Sequence, residues 1–275
     1  MRPRSWRRLA RWAVLAAGFA FLYAPIAHVI LFSFNASSST ASWAGFSGKW
    51  YAVLLDNDGL LRAARLSLEI AVLSASGATL IGTIVGYVMA RFGSFRGRAL
   101  LSSMASAPLV MPEIVMGVSL LLLFISLEDW LGWPNGRGVL TIALAHIIMT
   151  TAFVAIVVQA RLAGLDRSVE EAALDLGATP FTVVRLITIP LIFPAIAAGW
   201  LLCFSLSLDN VVVSLFTSGP GSTTLPLLIF SLVRRGVKPD VNAMATIFVL
   251  FAIVVTVSLA RLQRWRSRDD DADGR

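Results

Sequence analysis

Six stretches of this sequence are apolar enough, and long or nearly long enough, to cross a lipid bilayer. That alone removes most of fold space. A spanning helix needs about 20 apolar residues, and the runs are Trp12–Phe34, Leu66–Ala90, Ala99–Leu127, Val139–Ala160, Ile189–Thr217 and Ala243–Ala260. The hydrocarbon core offers backbone groups no water, so each crossing segment must satisfy its own N–H and C=O groups within a helix. The expected fold is an all-α integral membrane protein with six transmembrane helices. The third and fifth runs exceed the minimum and hold Pro108, Pro112, Pro190 and Pro194, so tilting, kinking or partial exit from the core is expected. The first run is too long for the core of a cleaved signal, which is about 7–15 residues, and reads as an uncleaved span.

Charge placement sets the expected orientation. Charged residues make up 14% of the chain against 57% hydrophobic, well under the roughly 25% charged that is usual in soluble domains. The net charge of +7 comes almost entirely from arginines at segment ends, a pattern of membrane anchoring and not of a nucleic-acid groove. With six spans, 16 of the 23 Lys and Arg fall on the side that holds both termini. The positive-inside rule makes that side cytoplasmic. The expected organisation is a basic cytoplasmic N-terminus at 1–11, a six-helix domain at 12–262 with a cytoplasmic loop at 161–190, and a cytoplasmic tail at 263–275. A single cysteine, Cys203, excludes an intrachain disulfide, and His28 and His146 lie in different runs, so no metal cluster is expected.

One segment interrupts the apolar pattern. "EEAALDLGATPFTVVRLITIPL" (170–191) carries three carboxylates, an arginine and a glycine between two membrane-like runs. Ser168 and Glu171 have capping-box spacing, predicting a helix start. Val169, Ala172, Ala173 and Leu176 share one helix face. Gly177 suits a left-handed stop, and Thr179 with Pro180 suits the start of a second helix. Interfacial helices favour Lys and Arg on their polar face, whereas this one shows acids, which favours docking into a protein groove.

"EAALDLGATPFTVVRLITIP" resembles the EAA loop of ABC-transporter permeases. Glu171, Ala172, Ala173, Gly177, Ile187 and Pro190 match the motif in place, and Ile189 stands where the motif has Leu. Further stretches, "FLYAPI", "RFGSFRGR", "APLVMPEIVMGVSLLLLF" and "GPGSTTLPLLIFSLVRRGVKPDVNAMATI", resemble the second permease of putrescine/spermidine importers. The resemblance implies a type I ABC importer permease fold whose loop forms a coupling helix seated in a cleft of an ABC ATPase subunit. It implies a second permease subunit, a periplasmic polyamine-binding protein and a polyamine substrate, putrescine before spermidine. Location in a bacterial inner membrane follows from the same resemblance. No P-loop motif G-x-x-x-x-G-K-[ST] occurs, so ATP is expected on the partner ATPase and this chain is expected to need no cofactor of its own and to be no enzyme. Protease and lipase signatures are also missing.

Intramembrane acids are functional candidates by default, because burying charge in lipid is costly. Glu113 lies about 21 Å from the inner end of the third run and Asp209 about 12 Å from the outer end of the fifth, at helical rise. Glu113 follows "SAPLVMP", where two prolines should break the helix, and broken backbone at that depth needs protein or a water-filled cavity beside it. Asp209 stands with Asn210, Ser205 and Ser207. These residues, with the shallower Glu69, are the expected path for an organic cation, the alternative being pairing with arginines or capping of broken helices. Ser74, Ala78, Gly82, Gly86 and Ala90 form a ridge of small residues that lets another helix approach closely, in this subunit or in a partner. A self-sufficient secondary transporter would show internal repeats, which the sequence does not display. A scaffold protein would show no transport.

Overall fold

The computed structural model describes residues 4–39, 42–234, 239–251, 253, 254 and 257. The tail at 263–275, the far end of the sixth apolar run and the basic residues of the C-terminus lie outside them. The described elements are α1 (Arg4–Ser33), α2 (Lys49–Leu55), α3 (Asp58–Arg91), α4 (Arg98–Val110), α5 (Glu113–Leu131), α6 (Val139–Ala163), α7 (Ser168–Asp175), α8 (Pro180–Val183), a π-helical turn (Val184–Thr188), α9 (Ile189–Leu208), α10 (Val212–Thr217) and α11 (Leu225–Val233). A shorter apolar helix, α12, covers Pro239–Phe251. Five helical stretches are long and apolar enough to cross a membrane: Arg11–Ser33, Asp58–Arg91, Glu113–Leu131, Val139–Ala163 and Pro180–Leu208.

The first five expected runs and the described part of the sixth appear as helices, with four departures. The stretch 35–65, which lies between the first two runs, forms α2 and the first turns of α3. The third run is not one helix. It stops at Met111, whose ψ of 135 is extended as the residue before a proline must be, and restarts with Pro112 at the N-cap of α5. The fifth run also divides: α9 ends at Leu208 and α10 begins at Val212. The sixth begins earlier than expected, at Pro239.

Two compact units result. One is formed by Met1–Leu61 with Ser231–Leu259, the other chiefly by Arg62–Phe230. In the first unit the chain between α1 and α2 is closed around Asn35, whose side chain donates to the carbonyls of Ser39 and Ser42 and accepts from Ser37 and Ala44 N–H. Asn57 Nδ2 donates to Asp240 at 3.2 Å, joining the start of α3 to α12.

The second unit is organised about α6. One side of α6 presents Val154, Val158 and Leu162 to Ala71, Ala75 and Ala78 of α3 and to Ile192, Cys203 and Phe204 of α9. Its other side presents Ala145 and Met149 to Met116, Leu120 and Phe124 of α5 and Val213 of α10. The small-residue ridge of α3 is spent within this subunit. A Cβ built at Gly82 would lie 2.6 Å from Val154 Cβ, and one at Gly86 would lie 2.6 Å from the Ala155 carbonyl oxygen. Helices in lipid associate through such close packing, since lipid tails remove any net hydrophobic drive. α3 and α6 are therefore locked backbone to backbone.

Candidate functional site

The segment between α6 and α9 folds as helix, turn, helix, as its sequence predicts. Its start is capped differently. Ser168 is the first helical residue and makes no capping box; Asp166 takes the role by accepting the Ser168 N–H at 3.0 Å. The Ser168 backbone N–H, and then its hydroxyl, hold the Asp166 carboxyl below the ordinary carboxylate range. Both residues are good caps, and the one two positions earlier wins.

The end of α7 is a Schellman turn. Ala178 N–H reaches the Ala173 carbonyl at 3.0 Å and Gly177 N–H reaches that of Leu174 at 2.9 Å. Gly177 has φ of +86, the left-handed region that glycine enters without a Cβ penalty. Thr179 then caps α8 by accepting the Thr182 N–H, with Pro180 as the first helical residue. The π-helical turn follows immediately, ending two residues before Pro190, which has no N–H to offer the preceding turn.

This segment divides its side chains between two tasks. Glu171 and Ala172 are exposed, Ala173 and Ile187 are half-buried, and Pro190 is exposed. Leu176 is 90% exposed and Phe181 73% exposed, an apolar edge on either side of the Gly177 turn. Glu170 turns the other way. Its carboxylate meets Arg91, the last residue of α3, with Nε–Oε2 at 2.8 Å. Sequence reasoning placed Glu170 with the outward acids. No local pattern separates it from Glu171, because its partner lies 79 residues away.

The intramembrane candidates sort into three situations. Glu113 is the first residue of α5 and Asp209 is the C-cap of α9. Both are exposed on this chain, and each stands at one of the two helix breaks. The surrounding packing holds them there, since a Cβ at Gly117 of α5 would lie 2.6 Å from the Phe216 ring of α10. Asn210 is different: it is buried, and its Oδ1 accepts the N–H groups of Val213 at 2.9 Å and Ser214 at 3.3 Å. Those two bonds cap the start of α10. Glu69 is separate again. It is 54% exposed and paired with Arg65 one turn earlier at 2.7 Å.

His146 secures the second break. Fully buried on α6, it bridges Ser207 of α9 at 2.7 Å and Ser214 of α10 at 3.1 Å. The chain is thus stitched on both sides of Asp209 while the carboxylate itself stays open.

Comparison with known proteins adds three observations. Residues 82–269 match the family described as "Binding-protein-dependent transport system inner membrane component". The chain is 50% identical over 263 residues to the putrescine transport system permease protein PotI of Escherichia coli (strain K12), covering 94% of each chain. It is 43% identical over 266 residues to the spermidine/putrescine transport system permease protein PotC of the same strain, covering 97% of this chain and 98% of the relative. Among solved structures, a bacterial ABC transporter involved in import of the acidic polysaccharide alginate superposes with a TM-score of 0.72 at 20% identity, over 95% of this chain and 99% of that one. The MetNI methionine ABC transporter in an inward-facing conformation gives 0.61 at 18% identity, over 74% and 94%. At these identities the two structures speak to the fold alone.

Proposed function

Because the chain belongs to the binding-protein-dependent transport system inner membrane component family, we propose that it is one of two permease subunits of an ATP-driven importer that carries polyamine, putrescine foremost, into the cytoplasm. It is a transport component and not an enzyme. The 161–190 segment lies on the cytoplasmic side with both termini, and its α7 and α8 form the coupling helices. Glu171, Ala172, Ala173, Gly177, Ile187 and Pro190 shape the surface presented to an ABC ATPase subunit, which binds the ATP. A periplasmic binding protein delivers the substrate from the other side.

The observation that carries the cation reading is that Glu113 and Asp209 each stand exposed at a helix break, the first at the start of α5 and the second at the end of α9, in a chain half identical to a putrescine permease. Unpaired acids at membrane depth are expensive and serve best where a cation passes. The mechanism is alternating access. Closure of the ATPase pair moves the coupling helices, the cavity between the two permeases turns outward, and after hydrolysis it returns inward with the amine. This chain's part is to keep the two carboxylates placed and to carry the motion.

Labelled putrescine uptake, in cells with and without this chain and with its partners present, tests the reading. Uptake that depends on the chain and resists unlabelled spermidine supports a putrescine importer. Uptake abolished by equimolar spermidine reassigns the preferred substrate to the longer polyamine, the second name among the relatives. Uptake independent of the chain overturns the polyamine assignment.

A further inference from the structure

Glu170 lies outside the motif that defines the coupling loop, yet it is the one acid of α7 whose contacts cross to other helices. Its Oε2 pairs with Arg91 Nε at 2.8 Å, and its Oε1 accepts from Arg91 Nη2 at 3.2 Å and from the Thr188 hydroxyl at 2.8 Å. The remaining arm of Arg91, Nη1, donates to the Leu162 carbonyl at 3.0 Å, in the last turn of α6. Four elements therefore meet at one carboxylate and one guanidinium: the end of α3, the end of α6, α7, and the π-helical turn just before α9. The side chains of Arg91 and Glu170 are only 9% and 14% exposed, so salt and water screen the pair little. Thr188 is buried as well.

The mechanical consequence follows from what flanks the cluster. α3 and α6 are locked by the glycine contacts at Gly82 and Gly86 and behave as one body. α7 is attached to the rest by the turn around Asp166, where Arg167 Nη2 donates to the Ala90 carbonyl of α3 at 2.8 Å, and by the glycine turn at Gly177. The π-helical turn, with its wider backbone bonding, is the kind of irregularity found at functional sites. Chain continuity alone would let α7 swing without moving anything else. The Arg91–Glu170 ion pair and the Thr188 hydroxyl, with the Arg167–Ala90 bond, remove that freedom.

We propose that Arg91, Glu170 and Thr188 form a transmission strut, which obliges α3, α6 and the foot of α9 to follow any displacement of the coupling helix. They are positioning residues that act through α7. The inference rests on the coupling role given to α7 above. With the strut intact, a push on α7 reaches the α9 end that carries Asp209. With it cut, α7 yields alone and ATP is spent without substrate movement.

The test uses the complete transporter, both permeases and the ATPase pair, in proteoliposomes with its delivery protein. Putrescine uptake and ATP hydrolysis are read in the same vesicles. Glu170→Ala and Thr188→Val are the variants, the second removing one hydroxyl at nearly constant volume should the first fail to assemble. The expected result is a fall of about fivefold or more in putrescine moved per ATP hydrolysed, a size usual for coupling between sites, with hydrolysis maintained. Glu170→Gln, which keeps the shape and the acceptor oxygen, should recover part of that ratio. A merely structural role would lower uptake and hydrolysis in proportion and leave the ratio unmoved, which overturns the strut. If the wild-type complex shows no ATP-driven putrescine uptake, the polyamine permease reading fails instead, and that outcome is seen before any variant is compared.

Discussion

Gly177 offers a clean perturbation, because only backbone conformation opposes a side chain there. Its φ is +86, and a Cβ built on it meets nothing within 4 Å. Substitution therefore adds no clash, and the cost is that of placing an L-residue in the left-handed region, about 1–2 kcal/mol. One or two kcal/mol is a factor of roughly 5–30 in an equilibrium, here between the Schellman turn and a frayed α7 end. Asn and Asp tolerate that region better than other residues, and β-branched side chains tolerate it worst. The series Gly, Asn, Asp, Ala, Val at position 177 should thus lower ATPase retention in that order when the permease is purified from membranes. Gly177→Val should lose most of the partner and Gly177→Asn little of it. Gly177→Asp should fall between them and reduce uptake at normal abundance in the membrane. A series ordered by side-chain size or charge instead of by left-handed tolerance, or Gly177→Val retaining full uptake, refutes the argument that this turn aims the docking surface.

Three further expectations can be checked together. Gly86→Ala should destabilise the folded chain by about 1–3 kcal/mol through overpacking, since its Cβ would press on the Ala155 carbonyl at 2.6 Å; Gly18→Ala on α1, with nothing within 4 Å, should not. Thermal melts in detergent distinguish the two. His146→Leu leaves the Ser207 and Ser214 hydroxyls without their shared partner, so a loss of about 2 kcal/mol is expected, again read as a lowered melting temperature. Glu113→Gln and Asp209→Asn should each cut putrescine uptake about tenfold, the value of a lost charged contact, while Glu69→Gln should leave initial uptake rates unchanged.

The helices and the docking turn were legible because they depend on local chemistry. Apolar run length gave the spans, Pro112 gave the first break, and Gly177, Thr179 and Pro180 each impose a backbone angle or a cap within four residues of themselves. The second break carries no such mark. Nothing between Leu208 and Val212 is proline or glycine; the helix ends there because Asn210 turns its amide back onto the next helix and His146, on another span, holds a serine on either side. The capping role of Asn210 is invisible in the sequence because the N–H groups it accepts from belong to a helix start that no proline or glycine marks. Glu69 carried a readable signal, an arginine one helical turn earlier, that points to a surface pair.

Glu170 and Glu171 make the same point from the opposite direction. They are adjacent, chemically identical and about 100° apart on the helix, so composition and periodicity weigh them equally. What separates them is the position of Arg91 at the end of α3, and that position is set by the glycine contacts which seat α3 on α6 about one to three turns away. A motif can record the face that a partner protein reads, because that face is built from neighbouring residues. The inward face joins four elements from distant parts of the chain, and only the packed structure brings them to one carboxylate. The strut predicts that transport is sensitive to substitution at Gly82 and Gly86: widening the α3–α6 contact would shift Arg91 away from Glu170 and loosen the coupling helix without touching the loop.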